Sequence, residues 1–264
     1  MIPYSASQRF DGRVAIVTGS TQGLGAEVAR LLAAHGARGM IITGRSVERG
    51  AVLARELRDM GCNAVVVTAD LEDARTPGRL VAAAADHFGV VHHLVNAAAI
   101  TDRGTLLDTT VQLWDRMMAV NARAPMLLAQ AGVDLMRRQG VAGSIVNVGS
   151  VTGKGGPPKL MAYAASKAAL EALTRNLAAA LRPDRIRVNQ VNPGWMDTPG
   201  EHATQRSDGA DGRWLERAAA TAPFGRLVDP REVATAITYL LSDASGVATG
   251  AVLDFDQHVA GTER

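Results

Sequence analysis

The chain has 264 residues, a formal net charge of +2 and a hydrophobic content of 47%. This composition supports a large buried core and argues against an intrinsically disordered chain. The basic residues are scattered and no recognition motif accompanies them, so we do not expect a nucleic-acid partner. The single cysteine, Cys62, excludes an intramolecular disulfide and a multi-cysteine metal site, and we expect it to fill a gap between a helix and a strand.

No apolar run approaches the roughly 18 residues that span a membrane. The segment 1–10 has no apolar core like that of a signal peptide. We therefore expect a cytoplasmic protein that uses no metal and does not associate with membranes.

Short apolar runs, typical of buried parallel strands, alternate with helical patterns along most of the chain. The runs lie at 13–18, 39–43, 64–69, 91–96, 144–149, 186–191 and 251–255. Helical patterns lie at 23–37, 46–61, 114–128, 163–183 and 230–243, with Ser46 as an N-cap and Pro230 at an early helical position. This order predicts one α/β domain over residues 1–264, with a doubly wound parallel sheet of about seven strands and helices on both faces.

A polar, glycine-containing segment at 199–223 interrupts this alternation. Long connections in compact domains are often lids or binding loops. We predict a mobile lid over the substrate, and the candidates to face the substrate are Trp195, Met196, His202 and Trp214. The alternative is a surface excursion with a short helix at 214–220.

A glycine-rich turn joins the first predicted strand to the first helix, with Gly19, Gly23 and Gly25 in G-x-x-x-G-x-G spacing. Glycines let the backbone turn sharply and approach a pyrophosphate, while the helix directs its free N–H groups at the phosphates. The turn therefore predicts a dinucleotide site, although glycines also mark plain turns. The same loop places further candidate contacts at Ser20, Gln22 and Leu24.

The end of the second strand bears on the choice between NAD(H) and NADP(H). An acidic residue there binds the ribose 2′-OH, whereas a nearby arginine accommodates a 2′-phosphate. Gly44 stands where the acid would be, and Arg45 follows it. Because an arginine binds phosphate and stacks on adenine, we expect NADP(H) to be preferred, with NAD(H) possible. Arg45 could instead be a solvated loop residue.

The motifs, taken in order, resemble those of the short-chain dehydrogenase/reductase family over nearly the whole chain. They are TGSTQGLG at 18–25, Asp70-Leu71, NAAA at 96–99, Asn121, Ser150, Tyr163-x-x-x-Lys167 and NPGWMDT at 192–198. The resemblance implies a catalytic tetrad of Asn121, Ser150, Tyr163 and Lys167. It also implies a homotetramer and further cofactor contacts by Asp70, Leu71, Asn96, Pro193, Gly194 and Thr198.

The chemistry of the tyrosine and the lysine can also be argued from the residues themselves. Reduction of a carbonyl needs a proton donor, and oxidation of an alcohol needs a base, for which a phenol of pKa about 10 is poorly suited. Lys167 lies four residues after Tyr163 on the same helix face, so its charge should lower the pKa of the phenol. Ser150 can hydrogen-bond the substrate oxygen. In the family that the chain resembles, Asn121 would hold a water molecule that continues a proton relay.

The resemblance implies an NAD(P)-dependent oxidoreductase that interconverts a secondary alcohol, such as a sugar or polyol, and its carbonyl. A 3-oxoacyl thioester reductase is the enzymatic alternative. A sensor or scaffold that binds a dinucleotide without catalysis is the alternative of another class, but such a protein would be expected to lose Tyr163 or Lys167.

Two stretches depart from the family pattern. Residues 96–99 read Asn-Ala-Ala-Ala where the family usually has Asn-Asn-Ala-Gly, so the hydrogen bonds of the second asparagine must be lost or replaced. The C-terminal VLDFDQHVAG stands where many members have a strand followed by Asp-Gly-Gly.

Overall fold

One parallel sheet of seven strands organises the computed structural model, which describes residues 7–259. The strands are β1 (Val14–Thr18), β2 (Gly39–Gly44), β3 (Asn63–Thr68), β4 (His93–Asn96), β5 (Ser144–Val148), β6 (Arg187–Pro193) and β7 (Val252–Phe255). Their order is β3-β2-β1-β4-β5-β6-β7, so the succession reverses between β1 and β4. Ligands of such sheets bind at the carboxyl ends of the strands beside this reversal. The predicted doubly wound α/β fold is confirmed.

Two apolar clusters cover the two faces of the sheet. Ala15 and Val17 of β1 belong to one cluster and Ile16 to the other, as the two-residue period of a strand requires. Every residue of β1 is therefore buried, which explains why the strand reads as a continuous apolar run. Cys62 is buried before β3, as predicted, and burial raises the pKa of its thiol to about 11.

Helices connect the strands and lie on both faces. They are α1 (Gly23–Ala34), α2 (Val47–Asp59), α3 (Thr76–Phe88), α4 (Val111–Met118), α5 (Ala124–Arg138), α6 (Met161–Ala180), α7 (Pro199–Ser207), α8 (Trp214–Thr221) and α9 (Pro230–Leu241). The predicted cap is present, since Ser46 Oγ accepts a hydrogen bond of 3.2 Å from the Arg49 N–H. Between residues 7 and 259, no helix combines the length and apolar character needed to cross a bilayer.

The helix predicted over 114–128 is not continuous. A π-helical segment, Ala119–Arg123, separates α4 from α5. Pro125 has no N–H for the backbone carbonyl of Asn121, so the regular α-helical pattern cannot pass through this point. Single π-helical turns occur frequently at functional sites, and this one carries Asn121.

The segment 199–223 is largely helical, because it contains α7 and α8. Helix α8 begins at Trp214, close to the short helix of the alternative interpretation. Trp214 is buried with Ala218 and Leu227, whereas α7 has no buried residue. The two halves of the segment therefore differ in packing, and its mobility stays a prediction.

Candidate active site

A cleft of about 1220 Å³ lies at the carboxyl edge of the sheet. It is bordered by residues that follow strand ends, such as Arg45 after β2 and Gly149 after β5. The predicted site residues that line it are Gln22, Leu24, Arg45, Ser150, Tyr163, Lys167, Pro193, Gly194 and Thr198. The fold thus brings residues from both halves of the chain to one cleft.

The glycine turn fits a bound dinucleotide. Gly19 and Gly23 have φ angles of +64° and +54°, in the region that favours glycine. A Cβ at Gly19 would lie 2.7 Å from the Cα atom of Ala98, and a Cβ at Gly25 would lie 2.5 Å from the carbonyl oxygen of Gly19. Helix α1 begins at Gly23 with no side-chain cap and no acidic residue in its first turn. Its first N–H groups are therefore suited to a phosphate.

Ser20 and Asn96, which are predicted to contact the cofactor, do not line the cleft. Their side chains instead make hydrogen bonds to neighbouring strands of the sheet. Ser20 Oγ accepts a hydrogen bond of 2.9 Å from the Thr43 N–H, which ties the glycine turn to β2. The buried Asn96 donates a hydrogen bond of 2.8 Å from Nδ2 to Oδ1 of Asn147, which ties β4 to β5. Contact of these two side chains with a cofactor stays a prediction.

Asp70 and Leu71 lie beyond the end of β3. Asp70 is exposed, and its Oδ1 accepts a hydrogen bond of 2.9 Å from the N–H of Glu72. Leu71 is partly buried and packs against the apolar cluster around Ile100. This arrangement leaves Asp70 at the surface, and its predicted contact with adenine is untested.

The hydrogen bonds that the alanine-rich stretch after β4 needs are supplied by Thr18. Thr18 Oγ1 accepts hydrogen bonds from the N–H groups of Ala97 and Ala98, at 3.1 and 3.2 Å. The same hydroxyl donates to the carbonyl of Val95 at 3.3 Å. A threonine at the end of β1 thereby fixes the stretch that lacks the second asparagine.

The end of β2 has no room for an acidic side chain. A Cβ at Gly44 would overlap the side chain of Thr21. Arg45 follows, is exposed and lines the cleft. A cofactor ribose at this position would therefore meet an arginine and no carboxylate from position 44.

Tyr163 and Lys167 lie one turn apart on α6, and Ser150 follows β5. The Nζ atom of Lys167 lies 5.7 Å from the centroid of the Tyr163 ring and donates a hydrogen bond of 2.7 Å to the carbonyl of Val148. Lys167 is only 2% exposed. Ser150 Oγ accepts a hydrogen bond of 3.2 Å from the Thr152 N–H, which orients the serine at the mouth of the turn.

Burial is the largest influence on the pKa values of Tyr163 and Lys167, the two catalytic candidates on α6. Burial raises the pKa of Tyr163, the Ser150 hydroxyl opposes this shift, and the charges of Glu201 and Arg103 act in opposite directions. Burial also lowers the pKa of Lys167 to about 8. The net shift of the phenol pKa is therefore opposite in direction to the one expected from Lys167, because desolvation of the phenol prevails and the Lys167 ammonium group donates its hydrogen bond to the Val148 carbonyl. A protonated phenol is suited to donating a proton.

Asn121 is fully buried in the π-helical segment and does not line the cleft. Its Nδ2 donates hydrogen bonds of 3.0 Å to the Ile100 carbonyl and to Ser166 Oγ, and its Oδ1 accepts one of 3.0 Å from the Ile100 N–H. Ser166 Oγ in turn donates to the carbonyl of Tyr163 at 2.7 Å. Asn121 thus connects the π-helical segment to the helix that carries Tyr163, and its part in a proton relay stays a prediction.

Of the four residues predicted to face the substrate, Trp195 and Met196 line the cleft. Trp195 is 49% exposed, so an indole ring is available there. His202 and Trp214 do not line the cleft. The ring centroid of His202 lies 4.9 Å from that of Trp214, and its Nε2 lies 2.7 Å from Asp197 Oδ1.

A charged group that lines the cleft was not predicted from the sequence. Asp208, just after α7, accepts hydrogen bonds on its Oδ2 from Arg103 Nε at 3.1 Å and from Lys159 Nζ at 3.2 Å. The three residues come from three separate connections. No motif marks any of them, so only the folded chain reveals the group.

The family model described as "Enoyl-(Acyl carrier protein) reductase" matches residues 19–257. The chain belongs to the short-chain dehydrogenase/reductase family. The suspected resemblance is therefore confirmed, and the protein is an enzyme of this oxidoreductase family.

Curated and solved relatives cover almost the whole chain. The cis-4-hydroxycyclohexanecarboxylate dehydrogenase of Sinomonas cyclohexanicum is 38% identical over 94% of this chain and 97% of its own. L-sorbose reductase from Gluconobacter frateurii, solved with NADPH and L-sorbose, superimposes with a TM-score of 0.90 at 27% identity and covers 97% of this chain and 100% of its own. A 3-oxoacyl (acyl-carrier-protein) reductase from Agrobacterium tumefaciens, solved with NADP, gives a TM-score of 0.87 at 27% identity and 97% coverage of both chains.

Proposed function

We propose that this short-chain dehydrogenase/reductase is an NADP(H)-preferring enzyme that interconverts a secondary alcohol and its carbonyl, with Tyr163 as the acid and base. The observation that carries the proposal is the convergence of Ser150, Tyr163 and Lys167 on the same cleft as the glycine turn. A sensor or scaffold without catalysis would have no need to retain these three side chains together.

The residues of the cleft have complementary roles in this reaction. A bound nicotinamide dinucleotide supplies the hydride donor or acceptor. In reduction, the phenol of Tyr163 donates its proton to the substrate oxygen as the carbonyl carbon receives the hydride; in oxidation, the phenolate takes the proton back. The Ser150 hydroxyl holds that oxygen by a hydrogen bond. Lys167, whose Nζ lies 5.7 Å from the centroid of the Tyr163 ring and which is protonated below its pKa of about 8, would offset part of the cost of burying a negative charge on the phenol.

The proposed preference for NADP(H) is supported by the end of β2. Position 44 excludes a side chain because of Thr21, and Arg45 is exposed beside the cleft. An arginine matches the charge and geometry of a 2′-phosphate. The sorbose reductase and the 3-oxoacyl reductase were solved with NADPH and NADP, respectively.

The relatives support a secondary alcohol or ketone as the reacting group. Their names specify a hydroxycyclohexanecarboxylate, L-sorbose and a 3-oxoacyl thioester of a carrier protein. We propose a small alcohol, such as a sugar, polyol or ring alcohol, and the 3-oxoacyl thioester is the second candidate because of the last relative. We also propose a homotetramer, which is the assembly that the family resemblance implied.

A screen of ketones and alcohols, read by the absorbance of NADPH and NADH, tests the proposal. The expected result is turnover with at least one secondary alcohol or ketone, faster with the phosphorylated cofactor. A 3-oxoacyl thioester in the same screen separates the second candidate. If the protein binds NADPH but turns over none of the compounds, the non-catalytic alternative is favoured.

A further inference from the structure

The group formed by Arg103, Lys159 and Asp208 lines the same cleft as the catalytic candidates, and backbone hydrogen bonds join two of the segments that carry it. The N–H of Gly104 donates a hydrogen bond of 2.9 Å to the carbonyl of Lys159, so the segments that carry the two cations lie side by side. The N–H of Leu160 donates to the carbonyl of Pro157 at 2.8 Å, which closes the turn before the helix of Tyr163. These backbone hydrogen bonds fix the two segments from which the side chains of Arg103 and Lys159 extend.

The group formed by Arg103, Lys159 and Asp208 has unused hydrogen-bond donors and a net positive charge. One carboxylate, that of Asp208, serves two cations, which leaves the trio with a net charge of +1. Arg103 uses Nε for Asp208 and Nη1 for the carbonyl of Thr101, and its Nη2 makes no hydrogen bond to any of residues 7–259. Lys159 uses one of its three N–H donors on Asp208. Another anion could bind without displacing Asp208.

Arg103 and Asp208 are partly buried, which strengthens their electrostatic interactions. The side chains of Arg103 and Asp208 are 22% and 23% exposed, so their interactions are screened less than those of a surface pair. The positive charge of Arg103 is one of the influences that lower the pKa of the Tyr163 phenol, against the larger effect of burial. Arg103, Lys159 and Tyr163 all line the same cleft.

We infer that Arg103 and Lys159 recognise a carboxylate on the substrate, so that the preferred substrates are hydroxy acids and oxo acids. This inference rests on the proposed function and deepens it. Asp208 shows that a carboxylate fits between the two cations. The planar guanidinium binds a carboxylate through paired N–H groups, and the ammonium group adds a second charge-assisted hydrogen bond.

Glu201 is the residue that would favour the opposite case, a substrate with a positive charge. The Glu201 carboxylate also lines the cleft, where its Oε1 accepts hydrogen bonds from Trp195 Nε1 at 2.8 Å and Gln205 Nε2 at 2.7 Å. These donors are neutral, so Glu201 would attract a cationic substrate. The test therefore includes a cationic analogue.

Binding of compounds that cannot react tests the inference without depending on turnover. Cyclohexanecarboxylate, cyclohexanecarboxamide and cyclohexylammonium would be titrated into the enzyme with NADPH, at constant ionic strength, by calorimetry. We expect the carboxylate to bind roughly tenfold more tightly than the carboxamide, since a charge-assisted hydrogen bond is worth more than a neutral one. Equal affinity, or tighter binding of the ammonium compound, overturns the inference.

Variants then assign the preference to the two cations. Arg103→Gln and Lys159→Gln should each reduce the carboxylate-to-carboxamide affinity ratio by several-fold to roughly tenfold, and Asp208→Asn should raise it because a competing anion is removed. Arg138→Gln, which removes an arginine from an exposed ion pair with Asp134, is the matched control. If the charged group only fastens α7, the three cleft variants weaken both compounds alike and the ratio stays constant.

Kinetics with a ketone pair separate this inference from the proposed function. 4-Oxocyclohexanecarboxylate and its carboxamide differ only in the charge of the distal group. Reduction of both at equal kcat/KM would uphold the proposed function and overturn the inference. Selective binding of the carboxylate with no turnover of any ketone would overturn the proposed function and uphold the inference.

Discussion

The Nζ atom of Lys167 lies 5.7 Å from the ring centroid of Tyr163, yet its hydrogen bond goes to the carbonyl of Val148. Burial shifts the pKa values of the two groups in opposite directions, upward for the phenol and down to about 8 for the ammonium. Desolvation disfavours the charged form of each, which accounts for both shifts. The phenol is therefore poised as a proton donor at neutral pH.

Replacing Tyr163 by Phe should reduce kcat by at least roughly 100-fold, because a positioned general acid or base contributes about 10²- to 10⁴-fold. Binding of NADPH should be largely retained. Tyr239→Phe, at a tyrosine 43% exposed on α9, is the matched control. Steady-state assays and a fluorescence titration of NADPH measure the two properties. A Tyr163→Phe enzyme with near wild-type kcat would refute the assignment.

Oxidation of an alcohol should accelerate as the pH rises from about 7 to 9. Only the phenolate form of Tyr163 can accept the proton, and burial raises its pKa above the ordinary value of about 10. Below that pKa, the phenolate fraction grows about tenfold for each pH unit. Reduction uses the protonated phenol and should show no such rise. A plateau of kcat/KM for oxidation below pH 8 would contradict the raised pKa.

Removal of the Arg45 side chain should weaken NADP(H) selectively. A charge-assisted hydrogen bond is worth about 1.5–3 kcal/mol, so Arg45→Ala should raise the Kd of NADPH by roughly 10- to 100-fold and change that of NADH far less. Arg55→Ala, at an exposed arginine within α2, controls for the loss of surface charge. Equal losses for the two cofactors would show that Arg45 does not bind the 2′-phosphate.

The folded protein should lose stability below about pH 6.5. His93 is buried, and among residues 7–259 neither of its ring nitrogens has a hydrogen-bond partner. Burial holds its pKa well below the ordinary value and lowers that of His92 to about 4. The unfolded chain therefore binds more protons as the pH falls below about 6.5, which costs up to about 1.4 kcal/mol per pH unit for each histidine. Above that pH both states are neutral and the effect vanishes.

Urea unfolding at pH 7.5 and 5.5 measures this effect. His93→Leu should make the free energy of unfolding less dependent on pH, because one proton taken up on unfolding is removed. His87→Leu, at an exposed histidine of α3, should retain the wild-type dependence. The same pH dependence in wild type and His93→Leu would exclude His93 as a source of acid instability.

The two halves of the segment 199–223, which we predict to be a lid, should differ in their protection from hydrogen exchange. Helix α8 buries Trp214 and Ala218, whereas α7 buries no residue, so we expect 199–208 to exchange faster than 214–221 in the absence of ligands. Binding of cofactor and substrate together should slow hydrogen exchange in 199–208, because a loop that closes over its ligands excludes water. High protection of 199–208 without ligands, unchanged when they bind, would show a fixed structural element.

Much of the fold and of the cofactor turn is determined locally by the sequence. The apolar run of β1 is buried on both faces, Ser46 caps α2 by its own side chain, and Gly19 and Gly23 adopt the φ angles that the turn requires. Each of these features depends on residues close together in the chain or on a simple apolar pattern. A sequence reports such features directly, because backbone preference and burial period are properties of single segments.

Only the tertiary structure decided the features that depend on distant segments. Thr18 supplies hydrogen bonds to Ala97 and Ala98, and Asp208 joins Arg103 to Lys159. The same holds for the raised pKa of the Tyr163 phenol, where the spacing to Lys167 alone predicted the opposite shift. Hydrogen-bond partners, desolvation and charge interactions depend on the packing of whole elements against one another, and no local pattern in the chain specifies that packing.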